Sequence, residues 1–176
     1  MEFKDLIIER RSVRKYKNQP VSEETIKELI KTAQYAPSWK NSQTARYYVI
    51  NSGEKLESFR KEALPSFNQN NSANATLIVT TFVKGISGFN GDEPVNEVEN
   101  GWGAYDLGLQ NAYLILKAKD LGLDTLIMGI RHGDKIREFL SIPESEEIVS
   151  VIAVGYRDQD PKFNGRKDLD EIVKIY

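Results

Sequence analysis

The chain contains no cysteine. That excludes disulfides, thiolate nucleophiles and every cysteine-based metal site. Histidine is almost as scarce. His132 stands alone, so a histidine-rich metal site is excluded and no metal is expected. A Ser-His-Asp triad would have to use His132, and no G-x-S-x-G accompanies it. His132 itself, in Arg131-His132-Gly133-Asp134, reads as a surface residue in a turn before a helix. No apolar run approaches 18 residues, so no membrane span is expected. The start, MEFKDLIIERR, mixes charge into its apolar residues and has no signal-peptide core. An excess of basic charge is missing too. With 24 Lys+Arg against 26 Asp+Glu the net charge is −2, which argues against a general nucleic-acid binder. These absences point to the cytoplasm. If the chain is an enzyme, a bound organic cofactor carries its chemistry, because the usual catalytic side chains are nearly lacking.

What is present suits one folded unit spanning 1–176. The length is that of a single domain, and 40% apolar with 28% charged residues is ordinary for a globular protein. Helical spacing runs through residues 2–10. Ser22 opens a second helix, with Glu23 and Glu24 in its first turn and Ile26, Leu29, Ile30 and Ala33 on one face; Pro37 stops it. The polar SWKNSQ that follows reads as loop. Strands are predicted at 47–50, 75–83, 125–130 and 148–156, and further helices at 53–64, 101–121 and 134–140. Residues 85–100, with Gly85, Gly88, Gly91 and Pro94, read as a mobile surface loop in which Phe89 and Trp102 are either core aromatics or a substrate cover. The class is α+β, a central sheet covered by helices.

The longest helix is unusually apolar. At 100° per residue, Asp106, Gln110, Lys117 and Asp120 share one narrow stripe. Ala104, Tyr105, Leu107, Leu109, Ala112, Leu114, Ile115, Leu116 and Ala118 fill the rest, an arc of roughly 220° against the about 100° that a surface helix needs. Either the chain buries this helix itself, or the helix is shared with a second copy. Asn111 lies inside the arc and requires a hydrogen-bond partner there.

Residues 10–15, RRSVRK, place four cations and a serine in six positions. This is either a solvated charge run or a phosphate site, since guanidinium groups bind phosphate in bidentate fashion and Ser12 adds a hydroxyl. In extended backbone Arg10, Ser12 and Arg14 share one face, opposite Arg11, Val13 and Lys15.

With RRSVRKY at 10–16, APSWKNSQ at 36–43, GLQNAYLILKAKDLGLDT at 108–125 followed by MGI at 128–130, and IVSVIAVGY at 148–156 with GRKDLDEIV at 165–173, the chain resembles the FMN-dependent nitroreductase family in its short subgroup. The resemblance implies a mixed sheet flanked by helices and an intertwined homodimer around the long helix, with FMN at the interface. It implies that Arg10, Ser12 and Arg166 hold the FMN phosphate, that Arg11 belongs to the same cofactor-binding set, and that Arg14 and Asn68 meet the pyrimidine edge. Asn71 falls where some relatives place a lysine. Pro37, Ser38, Trp39 and Asn41 would come from the second copy, and the backbone of Met128 and Gly129 would approach flavin N5. The implied reaction is ping-pong hydride transfer from NADH or NADPH, through FMN, to an electron-poor acceptor such as a nitroaromatic, quinone, flavin or enone. No catalytic side chain is implied. The other reading on the same scaffold is a flavin-binding or flavin-modifying protein with no nitroreductase role. The sequence departs from the family at Thr44-Ala45-Arg46, where many relatives carry Pro-Trp after N-S-Q, and at Met128, where many carry an acidic or small residue. No G-x-G-x-x-G is present to choose between NADH and NADPH.

Overall fold

The computed structural model describes residues 1–51 and 53–176. Helix α1 (Phe3–Glu9) is short and buries Leu6. Helix α2 (Glu23–Ala33) starts where expected, its Ser22 hydroxyl accepting from the Thr25 N–H, and buries Ile26, Leu29 and Ala33. Strand β1 (Ala45–Ile50) leads through helix α3 (Gly53–Ala63) and the short helix α4 (Ser66–Asn71) to β2 (Thr76–Val83). Two-residue strands β3 (Phe89–Asn90) and β4 (Glu93–Pro94) form a small hairpin before helix α5 (Gly101–Asp120). Strand β5 (Asp124–Met128), helix α6 (Gly133–Leu140), strand β6 (Glu146–Gly155) and the one-turn helix α7 (Leu169–Ile172) complete the order.

The sheet runs β1-β2-β6-β5, and its three ladders are antiparallel. The parallel component is a single bridge, Ser12 to Thr125, which lays the segment after α1 along the β5 edge. Both central strands are buried on both faces, so alternate residues serve two cores. Ile78, Ile152 and Val154 face α2 and α5, meeting Leu29, Leu114 and Leu123. Leu77, Val79, Val151 and Ala153 face α3 and α6, meeting Phe59, Leu64 and Ile136. Each such side chain contributes about 1.5–3 kcal/mol of transfer free energy. No helix among the described residues is long and apolar enough to cross a membrane.

The structure corrects the sequence reading in three places. First, α4 was not predicted; SFNQNN has little helix propensity, and the helix is held by tertiary bonds, described below. Second, residues 85–100 lie at the surface but are pinned. Val95 N–H donates to Gly88 O (2.9 Å), Gly85 N–H to Asn100 Oδ1 (2.8 Å) and Trp102 Nε1 to Asn96 Oδ1 (2.9 Å). Third, the polar stripe of α5 faces the wrong way for a solvated surface. Asp106 and Gln110 are buried, whereas Tyr105 is 59% and Tyr113 41% exposed. The chain uses those two polar groups internally and leaves the outer face, with half-buried Leu109, Ala112 and Leu116, apolar. Asn111 does find a partner, donating weakly to Thr80 Oγ1 (3.5 Å), but its carbonyl oxygen has none among the described residues.

Candidate functional site

Thirteen residues were expected at a ligand site, and the fold gathers five of them. Arg10, Arg11, Ser12 and Arg14 line one cavity of about 190 Å³ with Pro161, Lys162, Phe163, Asn164 and Arg166. Their backbone is held straight by neighbours on both sides. Val13 N–H donates to Thr125 O (3.0 Å), and Lys17 N–H to Tyr156 O (2.8 Å). The Val13 side chain is fully buried, and the buried Tyr16 hydroxyl donates back to Val13 O (2.9 Å), so Ser12 and Arg14 are turned outward. Burial holds the Tyr16 phenol far above its ordinary range and therefore neutral. A further bond, Asp158 N–H to Lys15 O (2.8 Å), brings the chain after β6 back across this segment and so delivers Arg166.

Arg11 departs from its expected place. Instead of facing away with Val13, it curls back to donate to Ile8 O and to Arg10 O (2.9 Å), and its guanidinium lies 4.8 Å from the Phe163 ring centroid. Arg166 lies 5.4 Å from the same ring and donates to Asn164 O (2.8 Å) and Gly165 O (3.1 Å). Phe163 and Lys162 were missed by the sequence reading; the aromatic between two cations in KFNGR is the signal that marked them. Among the described residues, none of Arg10, Arg11, Arg14 or Arg166 forms an ion pair with a carboxylate. Four guanidinium groups beside one cavity, bonded to carbonyls alone, leave positive charge for an anion to neutralise.

Beneath the bridge lies a second charged group that the sequence did not reveal. Asp124 is 3% exposed and accepts from Lys119, itself 7% exposed, at 3.4 Å, with Arg157 at 3.9 Å. Burial pushes the Asp124 carboxyl above the usual carboxylate range, while the two cations pull it down.

A second set sits elsewhere. Pro37, Ser38, Trp39 and Asn41 belong to a tight turn in which Lys40, Asn41 and Gln43 have positive φ. Gln43 N–H donates to Ser38 Oγ (3.1 Å). Trp39 N–H and the Ser87 hydroxyl both donate to Asp106 Oδ2, at 2.9 and 2.7 Å, so one buried carboxylate ties the turn and the 85–100 segment to α5. Trp102 stacks between Trp39 (4.9 Å) and Tyr105 (5.6 Å), and the buried Trp39 Nε1 has no acceptor among the described residues. Asp106 lies in the first third of α5, whereas Thr125 follows the end of that helix. From Asp106 to Asp120 the helix rises about 21 Å. The two sets therefore mark opposite ends of one element and are not brought together within the chain.

The remaining four residues cluster around the end of β5. Asn68, buried in α4, donates through Nδ2 to Ile130 O (2.8 Å), and the Ser72 hydroxyl donates to Asn68 O (2.7 Å). Asn71 ends α4 half-buried. The Met128 side chain packs into the core, leaving only its backbone available. Gly129 is exposed, with open space where a Cβ would stand. Arg131 donates to Gly129 O (2.7 Å) and to Ile148 O, fixing this strand end. His132 is exposed and precedes α6, with its N–H on Ala63 O (2.9 Å). Among the described residues no group of His, Asp or Glu could hold a metal ion.

Comparison with known proteins agrees with this architecture. A sequence profile of the nitroreductase family matches residues 7–156, and the chain belongs to that family of oxidoreductases. A protein of Archaeoglobus fulgidus with the provisional name NADH dehydrogenase/NAD(P)H nitroreductase is 26% identical over 162 residues, 90% of this chain and 87% of its own. The NADH dehydrogenase of Thermus thermophilus is 22% identical over 98% of this chain and 95% of its own. Among solved structures, a nitroreductase family protein of Streptococcus pneumoniae superposes with a TM-score of 0.84 at 23% identity, covering 99% of this chain and all of that one.

Proposed function

We propose that the chain is an FMN-dependent enzyme that takes electrons from NADH or NADPH and passes them to small electron-poor acceptors: nitroaromatics, quinones, flavins or enones. The observation that carries this reading is the cavity at residues 10–14 and 161–166, where unpaired guanidinium groups stand ready for a phosphate. FMN, when bound, supplies the two-electron chemistry that no side chain of this protein could. The donor set fits its phosphomonoester. Arg10, Arg11 and Arg166 are the cationic donors, Ser12 adds a hydroxyl, and Phe163 holds two of the arginines in position. Arg14 places a cation near the pyrimidine edge. Asn68 spends its amide N–H on Ile130 and keeps its oxygen as an acceptor for that edge. Asn71 adds polarity at the end of α4 without a charge. The open face at Gly129 lets backbone approach a flat ring closely.

Pro37, Ser38, Trp39 and Asn41 complete the site from a second copy. The support is the apolar outer face of α5, together with the exposed Phe3 and Ile7 of α1. A two-fold pairing along α5 brings the Trp39 turn of one protomer toward the basic cavity of the other, because those features lie at opposite ends of the helix. The expected location is the cytoplasm, where reduced nicotinamides are available, with neither nucleic acid nor membrane as a partner.

The test is an absorbance spectrum of the purified protein after incubation with FMN and desalting, followed by NADH or NADPH without oxygen. A retained yellow band that bleaches is the expected result. A band that persists would favour the flavin-binding or flavin-modifying reading, and a protein that retains no flavin would overturn both.

A further inference from the structure

A second cavity, sharing no residue with the basic one, lies between the end of α2, the start of β1 and the middle of α5. Its volume is about 240 Å³ and its lining is Ile30, Gln34, Gln43, Ala45, Arg46, Tyr47 and Gln110. At about 30 Å³ per water, it holds a molecule of roughly eight water volumes. The lining contains one cation, three amides and a phenol, and no acid.

Arg46 donates through a single nitrogen, Nη1, to Gln43 O (3.0 Å) and Ala45 O (2.8 Å). Its Nε and Nη2 edge has no protein acceptor among the described residues, nor does Arg46 pair with a carboxylate there. That edge is the one a carboxylate grips with two parallel bonds. Deeper in, Gln110 is only 4% exposed. The Tyr47 hydroxyl donates to its Oε1 (3.3 Å), which orients the amide and leaves Nε2 without a protein partner among the described residues. A buried amide donor facing a cavity is costly unless something accepts from it. Burial also holds the Tyr47 phenol above its ordinary range, so it remains a donor at neutral pH.

We propose that this cavity binds a small organic monocarboxylate, the carboxylate on the free edge of Arg46 and a second acceptor atom or the apolar body reaching toward Gln110 and Ile30. The site is independent of the flavin reading. It nonetheless borders the Trp39–Asn41 turn, since Gln43 both lines the cavity and closes that turn through its bond to Ser38.

The experiment is calorimetric titration of the purified full chain with sodium benzoate, sodium chloride serving as the ionic control and benzyl alcohol as the uncharged isostere. Saturable binding of one benzoate per chain, absent for chloride and at least tenfold weaker for the alcohol, is expected. Arg46→Gln should weaken it at least about tenfold. Ala45→Trp, which fills the cavity and leaves the cation in place, should abolish it. Arg14→Gln should leave it unchanged. Lack of saturable binding, or binding unaltered in both Arg46→Gln and Ala45→Trp, would overturn the proposal. So would loss of binding in Arg14→Gln, which would put the benzoate in the basic cavity, or equal binding of benzyl alcohol.

Discussion

A carboxylate taken out of water beside an ammonium is stable only as long as both partners remain. Replacing Asp124 by Asn leaves Lys119 buried without its counter-charge, and a loss of about 3 kcal/mol is expected in denaturant unfolding. The pH dependence has a definite sign. Because burial raises the native Asp124 pKa, the folded chain holds more protons than the unfolded one between about 3.9 and that raised value. Its contribution to stability therefore falls as pH rises through this window, and Asp124→Asn should flatten that part of the stability profile. Arg14 has a different task. If it faces the pyrimidine edge, it stabilises the anionic reduced flavin by about 1.5–3 kcal/mol. Arg14→Gln should then lower the two-electron midpoint potential of bound FMN by roughly 30–60 mV, measured by dye equilibration. The basic residues around Arg14 were legible because they are contiguous. Asp124, Lys119 and Arg157 were not, since no local pattern marks three charges that meet only after the sheet has formed.

Among elements, α5 has the most to explain. Its outline was evident in composition, but its orientation was not. A hydrophobic arc says which side avoids water, and Asp106 and Gln110 avoid water too once Trp39, Ser87 and Tyr47 satisfy them. Close packing at its first turns depends on Gly103, which lies flat against the Phe82 ring with no room for a Cβ. Gly103→Ala should cost about 1–3 kcal/mol by forcing that ring aside, seen as a lowered thermal midpoint. Helix α4 was invisible for the opposite reason. Nothing in SFNQNN favours a helix over a turn, and its anchors, Ile130 O for Asn68 and Leu64 O for Gln69, lie outside it. The core strands β2 and β6, by contrast, declared themselves through near-continuous β-branched runs.

At the scale of the whole molecule, the outer face of α5 and the split between the two residue sets make one prediction. Leu109→Glu places a charge in the centre of the apolar face without touching either set. It should yield a monomer by sedimentation and lose FMN retention in the same step, whereas a monomer that keeps its flavin would separate assembly from cofactor binding. The parts of the site supplied by neighbouring sequence were readable, but the tail that closes it was readable only through resemblance, because 140 residues intervene between Arg10 and its cavity partners. That separation has a consequence for biosynthesis. The anion cavity is built from residues 10–14 and 161–166, so during translation its first half waits for its second. At about 5–20 residues per second the interval is roughly 7–30 s. Throughout it the ribosome-bound chain can form most of its sheet while having no complete place for a phosphate, so cofactor loading belongs to the released protein and chains truncated before Arg166 should accumulate colourless.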